Sequence, residues 1–143
     1  MEPFLFAYGT LIPHLAPANL RARLRGLRFV GEGSIAGWLY NLGEYPGAVP
    51  DRHSQRTILG RVFELRNPER MLLVFDDYEG YRKDAPLESL FVRWQSMIRL
   101  ESGCWIPAWM YVYQGICDET AEIRTGRWLP APEVGGGATW ILS

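Results

Sequence analysis

Asn67-Pro68 on one side and Gly80 on the other bracket a run of apolar residues at helical spacing, and this bracket fixes where a helix interrupts a chain that otherwise reads as strands. Asn67 suits the cap, Pro68 the first helical position, and Gly80 the left-handed residue beyond the end. The spacing predicts a helix from about Pro68 in which Leu72, Phe75 and Glu79 share one side, with Asp76 and Asp77 pointing elsewhere. Glu79 then falls in the last turn. There, partial burial and the negative end of the helix dipole both disfavour a charged carboxylate and should raise its pKa. Such a group can take up and return a proton near neutral pH, which makes Glu79 the candidate catalytic residue. A plain solvated glutamate is the competing reading, since most glutamates lie in water.

Ahead of that helix, Phe4 to Ala7 reads as a buried strand running into a loop at Tyr8, Gly9, Thr10 and Leu11. Gly9 permits close backbone approach, and Thr10 offers a hydroxyl and an amide at the same mouth. An ordinary strand-ending turn would look the same. A second helix is expected from about Pro17 to Arg25, closed by Gly26. Leu27 to Leu42 reads as a bent strand broken by Gly31, Gly33 and Gly37, followed by a turn at Tyr45, Pro46 and Gly47 and a polar loop through Arg56. Thr57 to Leu65 is the next strand. After the central helix, Leu87 to Leu100 alternates, with Val92, Trp94, Ile98 and Leu100 on one side and Arg93, Gln95 and Arg99 on the other. Trp105 to Tyr113 puts Trp109, Tyr111 and Tyr113 on one face, with Gly103 marking the hairpin. The sum is an α+β fold, a small mixed, partly closed barrel of five or six bent strands with two inserted helices.

The 143 residues, 48% of them hydrophobic, fit a single domain over 1–143 with an irregular tail from about 124. A net charge of −1 gives no electrostatic reason to expect nucleic acid or an anionic membrane. The six tryptophans and seven tyrosines are then core before they are a stacking platform. Cys104 and Cys117 make no metal spacing and need no disulfide, and neither His14 nor His53 has a partner at ligand spacing. No metal or cofactor is expected. Phe4 to Tyr8 is too short for a signal or membrane segment, so a cytoplasmic protein is expected, working as a monomer on a small molecule. Cys104 as nucleophile with His53 as base is formally available, but a cysteine at an apolar strand start is more often inert. Arg82, Lys83 and Arg93 read as a solvated cluster, with binding of a substrate carboxylate as the alternative.

Taken in order, Tyr8-Gly9-Thr10-Leu11, Tyr45-Pro46-Gly47, Gly60 to Leu65 and Asp76 to Gly80 resemble the gamma-glutamylcyclotransferase-like family, over about Phe4 to Tyr113. The resemblance implies a small mixed barrel with helices, a ligand pocket built by the Tyr-Gly-Ser/Thr-Leu loop, and a catalytic glutamate matched by Glu79. Many members carry Tyr-x-Arg on the strand that follows, where this chain has Phe91, Val92 and Arg93. The expected substrate-binding set is Tyr8, Gly9, Thr10, Leu11 and Tyr111. The implied reaction is attack of a gamma-glutamyl substrate's own alpha-amine on its gamma-amide carbonyl, releasing 5-oxoproline and an amine. A non-catalytic binding module on the same fold is the alternative.

Overall fold

The computed structural model describes residues 2–9, 24, 26–43 and 45–128. Six strands, β1 (Phe4–Ala7), β2 (Leu27–Asn41), β3 (Pro46–Pro50), β4 (Thr57–Leu65), β5 (Phe91–Leu100) and β6 (Trp105–Tyr113), are ordered β3-β2-β4-β1-β6-β5. Pairing of β2 with β5 at Gly33–Leu100 and Ser34–Arg99 closes five of them into a barrel, with β3 as an added outer strand. The barrel is thus closed where partial closure was expected. It is mixed, because β1 runs parallel to β6 and antiparallel to β4.

Length explains how β2 serves three neighbours: it has fifteen residues, bulges between Phe29 and Gly31, pairs with β4 over its first part and turns to β3 from Gly37 onward. The segment Pro46–Pro50, read from its prolines and glycine as a turn entering a loop, is instead strand β3. Proline removes an amide only at the two ends of this short element, where an edge strand tolerates the loss.

Alternate strand residues feed two separate cores, as the two-residue period of a strand requires. Phe6, Tyr8, Leu39, Ile58, Val62, Ile98, Ala108 and Met110 fill the barrel interior. On the opposite face, Leu5, Leu65, Phe91 and Tyr111 meet Met71, Leu72 and Phe75 of the helix α1 (Pro68–Glu79). Both faces of β5 and β6 are therefore covered where α1 lies. Trp94, expected among the apolar residues, is 60% exposed. The strand expected from Leu87 begins only at Phe91, since Pro86–Glu88 forms a 3-10 turn. Of the helix expected over Pro17 to Arg25, only Leu24 is among the described residues, and it is buried against α1's core.

The helix ends where its punctuation puts them. Pro68 is in the first turn, and Gly80 is left-handed at φ 72°, ψ 23°, its amide directed to the carbonyls of Asp76 and Asp77. Asn67 caps through its carbonyl, which accepts from the Met71 amide at 2.9 Å, and its side chain makes no capping bond.

Gly60 shows how tightly the barrel is drawn near the end of β1. A Cβ there would sit 2.5 Å from the Ala7 carbonyl oxygen and 2.8 Å from the Phe6 ring. A backbone carbonyl in a paired strand cannot step aside, so Gly60→Ala should lower stability by about 1–3 kcal/mol. Urea denaturation of the two proteins would measure the loss.

Candidate active site

Glu79 is the last residue of α1, half-buried, with its Oε1 shut off from solvent. Leu72 and Phe75, the helix neighbours expected to share its side, are fully buried. The carboxyl thus stands on the apolar side of the helix, close enough to the Tyr78 hydroxyl and the buried Tyr111 hydroxyl for its charge to act on both.

Asp76 was expected to point elsewhere, and Arg93 to be solvated. Both are buried, their side chains 8% and 4% exposed, and they pair across α1 and β5. Arg93 donates from Nε to Asp76 Oδ1 at 2.7 Å and from Nη2 to Oδ2 at 3.1 Å, the two-pronged geometry that a guanidinium makes with a carboxylate. Oδ1 also accepts from the Tyr111 hydroxyl at 2.8 Å. The guanidinium lies 4.5 Å over the Trp109 ring and 5.9 Å from that of Tyr81. A signal for this was in the sequence: Asp76 is four residues beyond Leu72 and so belongs to the same stripe, and Arg93 alternates with Phe91 on a strand face that a helix covers.

Tyr111 joins this cluster to the exit of β1. The Tyr8 hydroxyl donates to the Tyr111 carbonyl at 2.6 Å and accepts from the Ala48 amide at 3.3 Å. Tyr8 and Tyr111 are each buried, and Gly9, half-buried, follows Tyr8 at the barrel's end. The structure therefore connects the β1 exit and the end of α1 through one residue of β6. Thr10 and Leu11, expected in the same binding set, lie outside the described residues, as does His14. Phe91 packs its ring between Tyr45 at 5.9 Å and Tyr113 at 5.5 Å.

The competing clusters are laid out differently. Cys104 and His53 sit exposed in different loops, at the β5–β6 turn and after β3. Arg82 and Lys83 are exposed, and Arg82 pairs with Asp84 and Glu88. Among the described residues, no group of His, Cys, Asp or Glu could hold a metal ion, and no helix is long and apolar enough to cross a membrane.

Burial, then the Asp76 charge and hydrogen bond, then the Glu79 charge hold the Tyr111 hydroxyl proton well above the ordinary phenol range, with Arg93 opposing. The folded protein keeps this proton where an unfolded chain would lose it. Its contribution is fully present below the ordinary phenol pKa of 10.0 and declines as the pH rises above that value. Tyr111→Phe should flatten the fall in urea midpoint across about pH 9 to 11. The ion pair gives a second expectation. Arg93→Met strands a buried carboxylate and should cost about 3–5 kcal/mol, while Arg93→Met combined with Asp76→Leu should recover most of that. A double-mutant cycle by urea denaturation measures both.

A family model described as "Gamma-glutamyl cyclotransferase, AIG2-like" matches residues 5–130. The gamma-glutamylcyclotransferase family protein YtfP of Escherichia coli K12 is 31% identical over 127 residues, 87% of this chain and 95% of that protein, and its Citrobacter rodentium counterpart is 32% identical. Among solved structures, an AIG2-like protein from Mus musculus superposes with a TM-score of 0.63 at 21% identity, covering 88% of this chain and 87% of its own. YkqA from Bacillus subtilis gives 0.62 at 21%, covering 90% of this chain and 40% of that larger one. At these identities the two structures speak for the fold alone.

Proposed function

We propose that this chain, which belongs to the AIG2-like gamma-glutamyl cyclotransferase family, is an enzyme that cyclises a gamma-glutamyl amide to 5-oxoproline and a free amine, with Glu79 as its general acid and base. The observation that carries this reading is a carboxyl with one oxygen buried, at the end of a helix whose last turn is bonded at Asp76 to Tyr111, the residue that also holds the Tyr8 hydroxyl at the exit of β1.

In this scheme the substrate's alpha-nitrogen forms a bond to its gamma-carbonyl carbon, and the bond from that carbon to the leaving nitrogen breaks. Both reacting groups belong to one molecule, so holding the folded conformer supplies much of the acceleration, ~7 kcal/mol or more when the geometry is good. No protein nucleophile is required. The alpha-ammonium must lose protons and the leaving nitrogen must gain them. Glu79 takes a proton from the first and returns one to the second, a role worth ~10²–10⁴-fold. Tyr8, Gly9, Thr10 and Leu11 hold the substrate at the barrel mouth through main-chain donors, which suit a developing oxyanion, and Tyr111 floors the site. The scheme calls for no metal, cofactor, nucleic acid, membrane or second subunit. Two exposed free thiols suit a reducing, cytoplasmic setting.

One observation favours the alternative, a binding module without turnover: Phe91 carries no hydroxyl where many family members have tyrosine. Its buried ring fills the aromatic cluster with Tyr45 and Tyr113, so packing is kept. A panel of gamma-glutamyl amino acids and amines separates the readings. The enzyme releases 5-oxoproline from at least one, and Glu79→Gln abolishes the release while ligand affinity stays within about tenfold. Turnover surviving in Glu79→Gln sinks the proton-transfer role. Thermal shifts with ligand but no 5-oxoproline from any compound would identify the binding module.

A further inference from the structure

The seam that closes the barrel carries a cavity separate from the Glu79 site. β2 meets β5 at Gly33–Leu100 and Ser34–Arg99, and all four residues line a space of about 330 Å³, at the small end of the range for ligand sites. A Cβ on Gly33 would meet Ile98 and Val62 of the barrel interior, so the two-residue period turns its neighbours Glu32 and Ser34 to the outside. Two backbone bonds bring further walls to this place. The Leu59 amide donates to the Gly126 carbonyl at 2.8 Å, which sets Arg127 at the cavity, and the Glu101 amide donates to the Glu32 carbonyl at 3.1 Å.

Two carboxylates and two guanidiniums thus line one cavity: Glu32 and Glu101, Arg99 and Arg127. They do not cancel in contact pairs. Among the described residues, the side chains of Arg99, Glu101 and Arg127 take part in no ion pair or hydrogen bond. Glu32 accepts Arg61 on Oε1 at 3.3 Å, while its Oε2 is shut from solvent with no hydrogen-bond partner. Trp128, the residue after Arg127, likewise buries an indole Nε1 without a partner. Buried polar atoms are seldom left so. The carboxylate oxygen needs a donor and the indole an acceptor.

We propose that this cavity binds an α-amino acid with an aliphatic side chain, Glu32 taking the ammonium and Arg99 and Arg127 the carboxylate. An ammonium brings the donors that Glu32 lacks, and the soft terminal torsion of a glutamate lets either oxygen turn to it. A guanidinium fork matches a carboxylate with two bonds. The walls hold two charges of each sign, so a zwitterion leaves their balance intact where a plain amine or a plain acid would upset it. Half-buried Leu59 and Leu100 supply an apolar wall for the side chain. The ligand would touch β2, β4, β5 and the segment carrying Arg127, so occupancy braces the closure of the barrel. This inference does not depend on turnover at Glu79, with which the cavity shares no described residue.

The test uses the whole chain labelled with 15N and L-leucine as probe. The amide signals of Ser34, Leu59, Leu100 and Arg127 should shift saturably with a Kd of about 1 mM or tighter, and the melting temperature should rise with leucine concentration. L-leucinamide lacks the carboxylate and N-acetyl-L-leucine lacks the ammonium, and each should bind at least about tenfold more weakly. Glu32→Gln and Arg99→Ala should each weaken leucine by a similar factor. Absence of saturable shifts with leucine, isoleucine and valine overturns the proposal, as does equal binding of leucine and its two analogues. Shifts centred on Gly9 and Tyr111 would put the ligand in the candidate active site and overturn it as well. Should a variant not fold, the analogues decide on the unaltered protein. The readout is binding at a mapped place, so its failure leaves 5-oxoproline release standing, and a protein that releases none can still show leucine at the seam.

Discussion

A buried ion pair between α1 and β5 is the joint on which the arrangement of this molecule depends. Asp76 and Arg93 are each costly to take out of water alone, and together, with Tyr111 satisfying a further lone pair, they fix one register of the helix against the barrel. Apolar packing of Met71, Leu72 and Phe75 would tolerate small slides and rotations. Two oxygens meeting a planar fork would not. The end of α1, and with it Glu79, is held by directional contacts where greasy ones alone would leave play.

The two cores divide the labour. The interior set, with Phe6 and Val62 at its centre, closes the barrel and needs no polar group from the site. The outer set lies beneath α1 and shares residues with the site: Tyr111 is at once packing, hydrogen-bond donor and the link to β1. Because neighbouring residues on β6 serve different cores, Met110 inward and Tyr111 outward, one strand supports both the scaffold and the chemistry proposed for it.

Much of this was legible in the residues, and the exceptions have physical causes. Helix punctuation is local, so Pro68 and Gly80 marked α1 to the residue, and Glu79 was found at its end. The five strands other than β3 were visible from alternation and length. What failed was judgement of charge. Asp76 was read as pointing away from the apolar stripe and Arg93 as solvated, as most charged residues are, and their pairing exists only once two elements distant in sequence are packed together. Likewise, β3 hid behind a proline and a glycine, which ordinarily mark turns, and became a strand because β2 was long enough to offer it an edge. The position of Thr10 and Leu11 beside the site is still an expectation from the sequence and the family.

The prolines at either end of β3 have a bearing on how this protein behaves in a crowded solution. A closed barrel has consumed its strand edges, and the added strand is itself largely covered: Pro46, Gly47 and Ala48 are buried, and the Ala48 amide is given to the Tyr8 hydroxyl. Pro46 and Pro50 carry no amide on either side of that committed one, so an extended segment from another molecule would find no free ladder of donors along this strand. The same residues that disguised the strand in the sequence thus help to keep neighbouring copies from zipping onto it.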